Sequence, residues 1–283
     1  PTPESTPMPT PAGDAPYAVR PLPARLAIFA YGSVCYAVFF ATFLYAFAWI
    51  VGLAVPTTLD APRSAPFWTA LAVNLGLLTL FAVQHSVMAR KWFKDRWTRL
   101  VPKPAERSTY TLFSSLALIA LFALWRPMGG EIWSAEGPAR WALYAVGAAG
   151  WGIVFFSTFL LNHFDLFGMR QVWLELRGRP YTPLRFRTPI FYRYVRHPLY
   201  VGWLLAFWGA PTMTVAHLLF AAATTAYILV AIRFEERDLV REHGDRYRRY
   251  RETTPMLVPG TKSRRPTPAA APAVQPAYAE VNA

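Results

Sequence analysis

The chain has 283 residues, of which 54% are hydrophobic and only 16% are charged, and its formal net charge is +13. A soluble domain carries about 25% charged residues, so this composition argues against a soluble protein and favours one built mainly of membrane-spanning segments. The single cysteine, Cys35, excludes an internal disulfide framework and a cysteine-based metal site.

Six apolar blocks follow one another along the chain and are the predicted transmembrane helices. A helix needs about 20 apolar residues to cross a bilayer; four blocks meet that length and the third is short. The last two form a hairpin that turns at a Gly-Ala-Pro sequence, so the prediction is an all-α polytopic membrane protein with about six spans, five being the alternative. The blocks are residues 26–55, 67–89, 110–125, 141–161, 191–208 and 213–232.

Lysine and arginine are distributed unevenly between the predicted loops. Of the 29 such residues, only Arg63, Arg126 and Arg140 lie in the alternate loops. Because cytoplasmic loops are enriched in these residues, the pattern predicts six spans in a bacterial inner membrane, with both termini and the active site cytoplasmic. Topology and contact with anionic lipid headgroups account for the positive charge, which argues against a nucleic-acid partner.

Composition divides the chain into four regions. Residues 1–23 and 260–283 are rich in proline and small residues and are predicted to be disordered. Between them we predict a four-helix transmembrane region, 24–161, and a region 162–259 that holds a loop, the hairpin and a cytoplasmic tail helix. The loop mixes aromatic and polar residues densely, which favours a lid or pocket wall over a solvated tether.

Charged and polar side chains flank both arms of the hairpin, and the turn brings them to the same end. Such residues at a membrane helix are costly and are by default a functional-site hypothesis. A cation, an imidazole and two carboxylates gathered there predict a binding site for a polar ligand. The residues are Arg196, His197, Pro198 and Tyr200 before and in the first arm, Glu235 and Glu236 after the second, and Tyr247 and Tyr250 in the tail helix.

This C-terminal unit resembles the membrane methyltransferases of the isoprenylcysteine carboxyl methyltransferase type. The resemblance rests on the Arg-His-Pro motif with Tyr200 and Gly202, the Glu-Glu pair, and a Gly-x-x-Tyr-x-x-Tyr stretch that begins at Gly244. It implies that S-adenosylmethionine is bound here by the eight residues just given. Arg196 can pair with the carboxylate of that ligand, either glutamate with its ammonium or ribose hydroxyls, and the tyrosines with its adenine or sulfonium.

The segment 162–173 makes the resemblance more specific, because it is similar to the corresponding segment of bacterial methanethiol S-methyltransferases. That resemblance implies a small thiol substrate, with methanethiol converted to dimethyl sulfide. The thiolate is the nucleophile, and His163 with Asp165 are the predicted catalytic residues, Asp165 orienting the imidazole. They share a face only if the stretch is extended or turn-like. The predicted substrate or lid residues are Arg170, Gln171 and Trp173.

Other interpretations of these patterns stay open. His163 and Asp165 could instead form a helix C-terminus with a local cap, and Gln84, His85 and His217 are predicted to hydrogen-bond neighbouring helices. The acceptor could be a prenylcysteine-like or other lipid group. A haem protein related to nitrogen-oxide metabolism is a third reading, although the scattered histidines argue against a metal site.

Overall fold

The computed structural model describes residues 18–184 and 186–261, and most of this part of the chain is helical. Two short strands, β1 at Glu131–Ser134 and β2 at Thr212–Thr214, pair antiparallel. Single 3₁₀ turns lie at Lys103–Ala105 and Ile190–Arg193. The helices are α1 Leu22–Val51, α2 Phe67–Met88, α3 Lys91–Trp97, α4 Glu106–Leu124, α5 Gly137–Leu161, α6 His163–Leu166, α7 Met169–Leu176, α8 Pro198–Trp208, α9 Val215–His243 and α10 Asp245–Thr253.

Five of the described helices are long and apolar enough to cross a membrane, namely α1, α2, α4 with its preceding 3₁₀ turn, α5 and α9. The protein is therefore an all-α polytopic membrane protein, as predicted. The third span is longer than its hydropathy indicated. Its helix begins at Glu106, and Thr109, Thr111 and Ser115 donate their hydroxyl hydrogens to carbonyls four residues earlier, which lets polar residues extend an apolar helix.

The fifth predicted span, 191–208, is not a continuous helix, and this part of the prediction was wrong. Its α-helical part is α8, with 11 residues and a length of about 16 Å at 1.5 Å per residue. Before α8 the chain forms the 3₁₀ turn at Ile190–Arg193, and the backbone N–H groups of Arg196 and His197 donate to the carbonyls of Pro255 and Met256 instead of continuing a helix. The chain then runs through Gly209 and Pro211 into β2. Pairing with β1 supplies hydrogen bonds to this non-helical backbone, which a membrane protein tolerates only where the backbone is covered.

The described chain divides into two compact units that do not follow sequence order. One contains the chain up to Tyr45 with Val83–Ile119 and Phe164–Leu184, and the other contains Ala46–Ala82, Ala120–His163 and the chain from Arg185. Both predicted regions, 24–161 and 162–259, contribute to each unit. The tails predicted to be disordered fall mostly outside the described residues, and α1 begins at Leu22, two residues before the predicted boundary.

In the first unit, α7 packs against α1. Val172 is fully buried and lies against Gly32, where a side chain would overlap it. The ring of Phe167 stacks on Phe39 with centroids 3.8 Å apart. The buried Glu175 pairs with Arg20 at 2.9 Å. These contacts fix the segment that carries the predicted lid residues.

In the second unit, α5 and α8 approach so closely that only glycine fits between them. A β-carbon on Gly150 would overlap the backbone of Ala206 and Gly202, and one on Gly202 would overlap Val154. Small residues at such crossings let membrane helices gain dispersion energy from close backbone contact. The indole of Trp208 donates to Thr225 Oγ1 at 2.9 Å, so α8 is also held against α9 and the predicted hairpin is present.

Candidate active site

The charged residues that flank the hairpin meet in a buried network within the second unit. Arg196 donates from Nε to Glu236 Oε1 at 2.7 Å, and His197 Nε2 lies 3.1 Å from the same oxygen. Arg251 Nε is 3.3 Å from the other carboxylate oxygen. The turn of the hairpin therefore brings the two predicted groups together, and Glu236 is enclosed by three donors.

The guanidinium of Arg196 also holds the end of the described chain. Its Nη1 donates to the carbonyl oxygens of Arg251, at 3.2 Å, and of Thr254. The backbone N–H of Arg196 donates to Pro255 at 2.9 Å. The contacts of this guanidinium are thus with Glu236 and main-chain carbonyls, whereas its pairing with a ligand carboxylate stays a prediction.

Glu235 and Glu236 are neighbours in sequence but differ sharply in exposure. The side chain of Glu235 is 45% exposed and that of Glu236 only 9%. Glu235 accepts a hydrogen bond from Tyr200 at 2.9 Å and lies 3.9 Å from Nδ1 of His197. Pro198 begins α8, so Tyr200 stands in its first turn. Glu235 is therefore the carboxylate that a ligand can reach.

Tyrosines from α10 line the same cluster. The Tyr250 hydroxyl donates to the carbonyl oxygen of Tyr192. Tyr247 is 1% exposed, and its hydroxyl has no hydrogen-bond partner among the described residues. Burial raises the pKa of Tyr247, as does the charge of Glu236. A buried hydroxyl without a partner costs about 1–3 kcal/mol. The hydroxyl of Tyr247 could therefore donate a hydrogen bond to a ligand at little cost.

His163 stands where α5 ends and the chain reverses. Asn162 is in the left-handed conformation, with φ of +85°, and His163 begins the four-residue helix α6. Its Nδ1 lies 2.9 Å from Thr158 Oγ1, and its ring stacks on Phe159 with centroids 4.5 Å apart. Burial lowers the pKa of His163. The ring is thus held by α5 and favours its neutral form.

Asp165, in the first unit, is bonded to a different set of residues. Arg170 Nη1 donates to its Oδ1 at 2.8 Å, and Tyr181 donates to its Oδ2 at 3.4 Å. Arg170 also donates to the carbonyl and hydroxyl oxygens of Thr182, at 2.9 and 2.8 Å. Gln171 donates to the backbone carbonyl of Asp165 at 3.1 Å. Arg170 and Gln171 thus tie α6, α7 and the segment after them together.

The segment that carries His163 and Asp165 is helical, so the extended geometry that would align them is not formed. Residues two apart on a helix point to different sides. His163 contacts Thr158 and Phe159, while Asp165 contacts Arg170 and Tyr181. The orienting role assigned to Asp165 therefore stays a prediction, and its direct contacts suit it better to holding the lid segment.

Trp173, the third predicted lid residue, is 47% exposed. Its ring lies 5.8 Å from that of Phe29 on α1, and the guanidinium of Arg177 lies over it at 5.8 Å. Both contacts are within the first unit. Trp173 is thus partly exposed on α7 and is contacted by Phe29 and Arg177.

The polar residues inside the spans bond to neighbouring helices, as predicted. His85 lies 3.0 Å from Ser114 Oγ and 2.8 Å from the Tyr110 hydroxyl, and Gln84 donates to Ser114 at 3.5 Å. Buried His217 bridges Asp60 and the carbonyl of Phe207, each at 2.9 Å. In the described part of the chain, no group of three or more His, Cys, Asp or Glu could hold a metal ion.

Comparison with known proteins decides the family. A methanethiol S-methyltransferase of Crocosphaera subtropica is 55% identical over 242 residues, covering 84% of this chain and 95% of that protein. Methanethiol S-methyltransferase 1 of Bradyrhizobium diazoefficiens is 52% identical, covering 83% of each. The Mycobacterium tuberculosis enzyme of that name is also 52% identical, covering 81% and 94%. The chain belongs to the methanethiol S-methyltransferase family. No family profile and no solved structure matches it.

Three contacts in this methanethiol S-methyltransferase family member were not predicted from sequence. They are the bonds of Thr158 to His163, Tyr181 to Asp165 and Thr182 to Arg170. Thr158 lies in an apolar span and reads there as an ordinary helix residue. For the contacts of Asp165 and Arg170, the available signal was the adjacent pair Tyr181 and Thr182 in a loop of mixed polar and aromatic residues.

Proposed function

We propose that the protein transfers a methyl group from S-adenosylmethionine to methanethiol, with dimethyl sulfide and S-adenosylhomocysteine as products. The observation that carries the proposal is the identity of 52–55% over most of the chain to proteins named methanethiol S-methyltransferase. The buried cluster around Glu236 supports the choice of methyl donor. When bound, this donor supplies a methyl group on a positively charged sulfur.

The chemistry of the cluster fits a cationic, aromatic ligand of this kind. Glu235 is half exposed and would receive the ammonium or ribose hydroxyls, with Tyr200 holding its carboxylate. The hydroxyl of Tyr247, which has no hydrogen-bond partner among residues 18–184 and 186–261, would donate to the ligand. Arg196 and Glu236 would keep α8, α9 and the chain after α10 in the arrangement that presents these groups.

On the thiol side, His163 would act as the base. A small alkyl thiol is ionised only slightly at neutral pH, and removal of its proton by a positioned side chain contributes about 10²–10⁴-fold in rate. Burial favours the neutral ring that such a base requires. Asp165 and Arg170 would hold the segment that follows His163 in its folded form through their ion pair and the bonds of Arg170 to Thr182.

The proposal places both termini and the active site at the cytoplasmic face of a bacterial inner membrane. Its support is the concentration of basic residues in the segments that contain the two clusters. Cysteine substitutions at exposed positions, labelled from one side of intact inner-membrane vesicles, would test it. Labelling of Leu100→Cys and Val258→Cys from the periplasmic side would contradict the assigned orientation.

The deciding experiment measures dimethyl sulfide in the headspace over purified protein given methanethiol and S-adenosylmethionine. Wild type should form dimethyl sulfide, and His163→Ala should bind S-adenosylmethionine without forming this product. Glu235→Gln should have a higher KM for S-adenosylmethionine. Prenylated cysteine and larger thiols are run in parallel. Turnover of one of these without dimethyl sulfide formation would keep the methyl donor but change the acceptor, and failure to bind S-adenosylmethionine would overturn the proposal.

A further inference from the structure

His217 stands at the turn of the hairpin in the second unit, where the segment between α1 and α2 meets the end of α8. Its Nε2 lies 2.9 Å from the carbonyl oxygen of Phe207, and its Nδ1 lies 2.9 Å from Oδ2 of Asp60. His217 is 1% exposed. Glu236 is 19 residues further along α9, about 28 Å at 1.5 Å per residue, so these bonds are separate from the candidate active site.

Both ring nitrogens of His217 need a hydrogen for these two bonds. The carbonyl of Phe207 can only accept, so Nε2 carries the first hydrogen. An ionised carboxylate also only accepts, and a bare Nδ1 would place its lone pair against a negatively charged oxygen at 2.9 Å. That contact is repulsive in a buried place, where water does not relieve it. A hydrogen between Nδ1 and Oδ2 removes the repulsion and leaves the pair without net charge.

The surroundings of the pair place this hydrogen on the imidazole. The hydroxyl of Thr214 accepts from the backbone N–H of His217 at 3.0 Å and donates to Oδ1 of Asp60, and such a bond favours the ionised carboxylate. The side chain of Asp60 is also 30% exposed. Phe207 lies in the last turn of α8, where the helix dipole favours a positive charge. His217 is therefore an imidazolium that closes the C-terminal end of α8 and pairs with Asp60.

Other charged groups do not take part in this pair. Residues 198–232, which form α8, β2 and most of α9, contain no Lys, Arg, Asp or Glu. The further charged residues of the loops at this end are Arg63, Arg126, Glu131, Glu136 and Arg140. In the part of the chain that the structure describes, none of these five bonds to Asp60 or His217. Glu131 stands opposite Thr214 in the paired strands and is exposed.

We propose that the ion pair of His217 and Asp60 is a pH-sensitive clamp that holds the short helix α8 at the turn of the hairpin. The last carbonyl groups of a helix have no partner within it, and His217 supplies one for Phe207. When His217 loses its second hydrogen, the repulsion between Nδ1 and the carboxylate returns and the clamp weakens. The clamp does not depend on the proposed reaction.

The sign of the pH dependence follows from the number of bound protons. An imidazole in the unfolded chain gives up its proton near pH 6.5, whereas the folded clamp requires that proton. Above this pH the folded state therefore binds more protons than the unfolded state, and its stability falls as the pH rises. Below this pH both states are protonated and the contribution of the clamp is fully present.

Asp60→Asn removes the need for the extra proton and keeps the bonds. The asparagine amide can donate to a bare Nδ1 while its oxygen still accepts from Thr214, so a neutral imidazole satisfies every partner. His217→Gln removes the titrating group. The matched control is Glu131→Gln, which neutralises an exposed acid at the same end and leaves the pair intact.

The first measurement is thermal unfolding of wild type and the three variants in the same lipid nanodisc between pH 6 and pH 9. Relative to Asp60→Asn, the wild-type midpoint should fall by about 5 °C or more over this range. His217→Gln should lack this part of the decline, and Glu131→Gln should follow wild type. An equal pH dependence in wild type and Asp60→Asn would overturn the clamp, as would a wild-type midpoint that rises with pH relative to Asp60→Asn.

Solid-state ¹⁵N NMR of histidine-labelled protein in lipid tests the protonation directly. His217→Gln identifies the signals of His217 among the five histidines, and variants of the other four identify them by elimination if His217→Gln does not fold. At pH 7, wild type should carry hydrogen on both ring nitrogens of His217, and Asp60→Asn on Nε2 alone. A bare Nδ1 in wild type at pH 7 would overturn the ion pair, whatever the behaviour of the variants.

Discussion

Replacing Glu236 by Gln is expected to destabilise the protein. The same change at Glu235 is expected to weaken binding of the proposed methyl donor, S-adenosylmethionine, with little effect on stability. Glu236 accepts hydrogen bonds from Arg196 at 2.7 Å and from His197 at 3.1 Å, and its side chain is only 9% exposed. Glutamine keeps one acceptor oxygen but places an uncharged amide beside the guanidinium. Arg196 would then remain buried without its counter-charge.

The size of the effect follows from burial. Removing one partner of a buried ion pair costs about 3–5 kcal/mol, since the other charge stays behind. Arg251 adds little, because it is 45% exposed and solvent screens its contact. At about 2–4 °C per kcal/mol for a domain of roughly 150–250 residues, the thermal midpoint should fall by about 6–20 °C. Glu235 has one hydrogen bond from Tyr200, so its variant should lose less than about 5 °C.

The assay is thermal unfolding of each variant in the same lipid nanodisc without donor, followed by calorimetric titration with S-adenosylmethionine. Wild type and Tyr200→Phe, which removes the hydrogen bond to Glu235, are the references. The reasoning fails if Glu235→Gln lowers the midpoint as much as Glu236→Gln does. It also fails if Glu236→Gln keeps the wild-type midpoint, since Arg196 would then not depend on that carboxylate.

Three further outcomes follow from the same structure. Gly202→Val should force α8 away from α5 and cost about 1–3 kcal/mol or more, seen as a lower thermal midpoint; an unchanged midpoint would contradict the glycine contact. Tyr247→Phe should leave apo stability unchanged or slightly higher, because the lost hydroxyl has no partner in the described chain, yet weaken donor binding in calorimetry; unchanged binding would remove Tyr247 from the site. Since burial lowers the pKa of His163, kcat/KM should decline only on the acid side, below about pH 6.5, where the base becomes protonated. An acid-side decline of kcat/KM that has its midpoint above pH 7 in wild type and is absent in His163→Gln would refute a lowered pKa.

The spans and the hairpin cluster could be predicted because long apolar runs leave few alternatives to membrane helices. A charged residue at the end of such a run is costly unless it is paired, and the hairpin brings Arg196 and Glu236 to the same end, so their pairing could be expected. The length of α8 could not be predicted in this way. Hydropathy does not distinguish a helix from an irregular segment, and the segment before α8 is held by backbone bonds from Arg196 and His197 to Pro255 and Met256, 59 residues later in the sequence.

The partners of the individual site residues were beyond sequence reasoning for a different reason. Arg170 contacts Asp165 and Thr182 because the chain after α7 folds back over α6, and no local pattern encodes that return. Thr158 carries no signal either, since a threonine in a helix commonly bonds to a carbonyl of the preceding turn. Its second bond exists only because Asn162 adopts the left-handed conformation that turns His163 back toward α5.

The pair Glu235 and Glu236 illustrates how adjacent identical residues acquire opposite tasks. Successive residues on a helix are about 100° apart, so when one carboxylate faces Arg196 the other points elsewhere. Because Glu236 satisfies Arg196, no arginine or lysine among the described contacts of Glu235 neutralises its charge, and its described partners are Tyr200 and, at 3.9 Å, His197. A half-exposed carboxylate in that setting attracts a cationic group. The buried pair thus holds α8 and α9 together, and we expect the charge of Glu235 to bind the ammonium group of the proposed methyl donor.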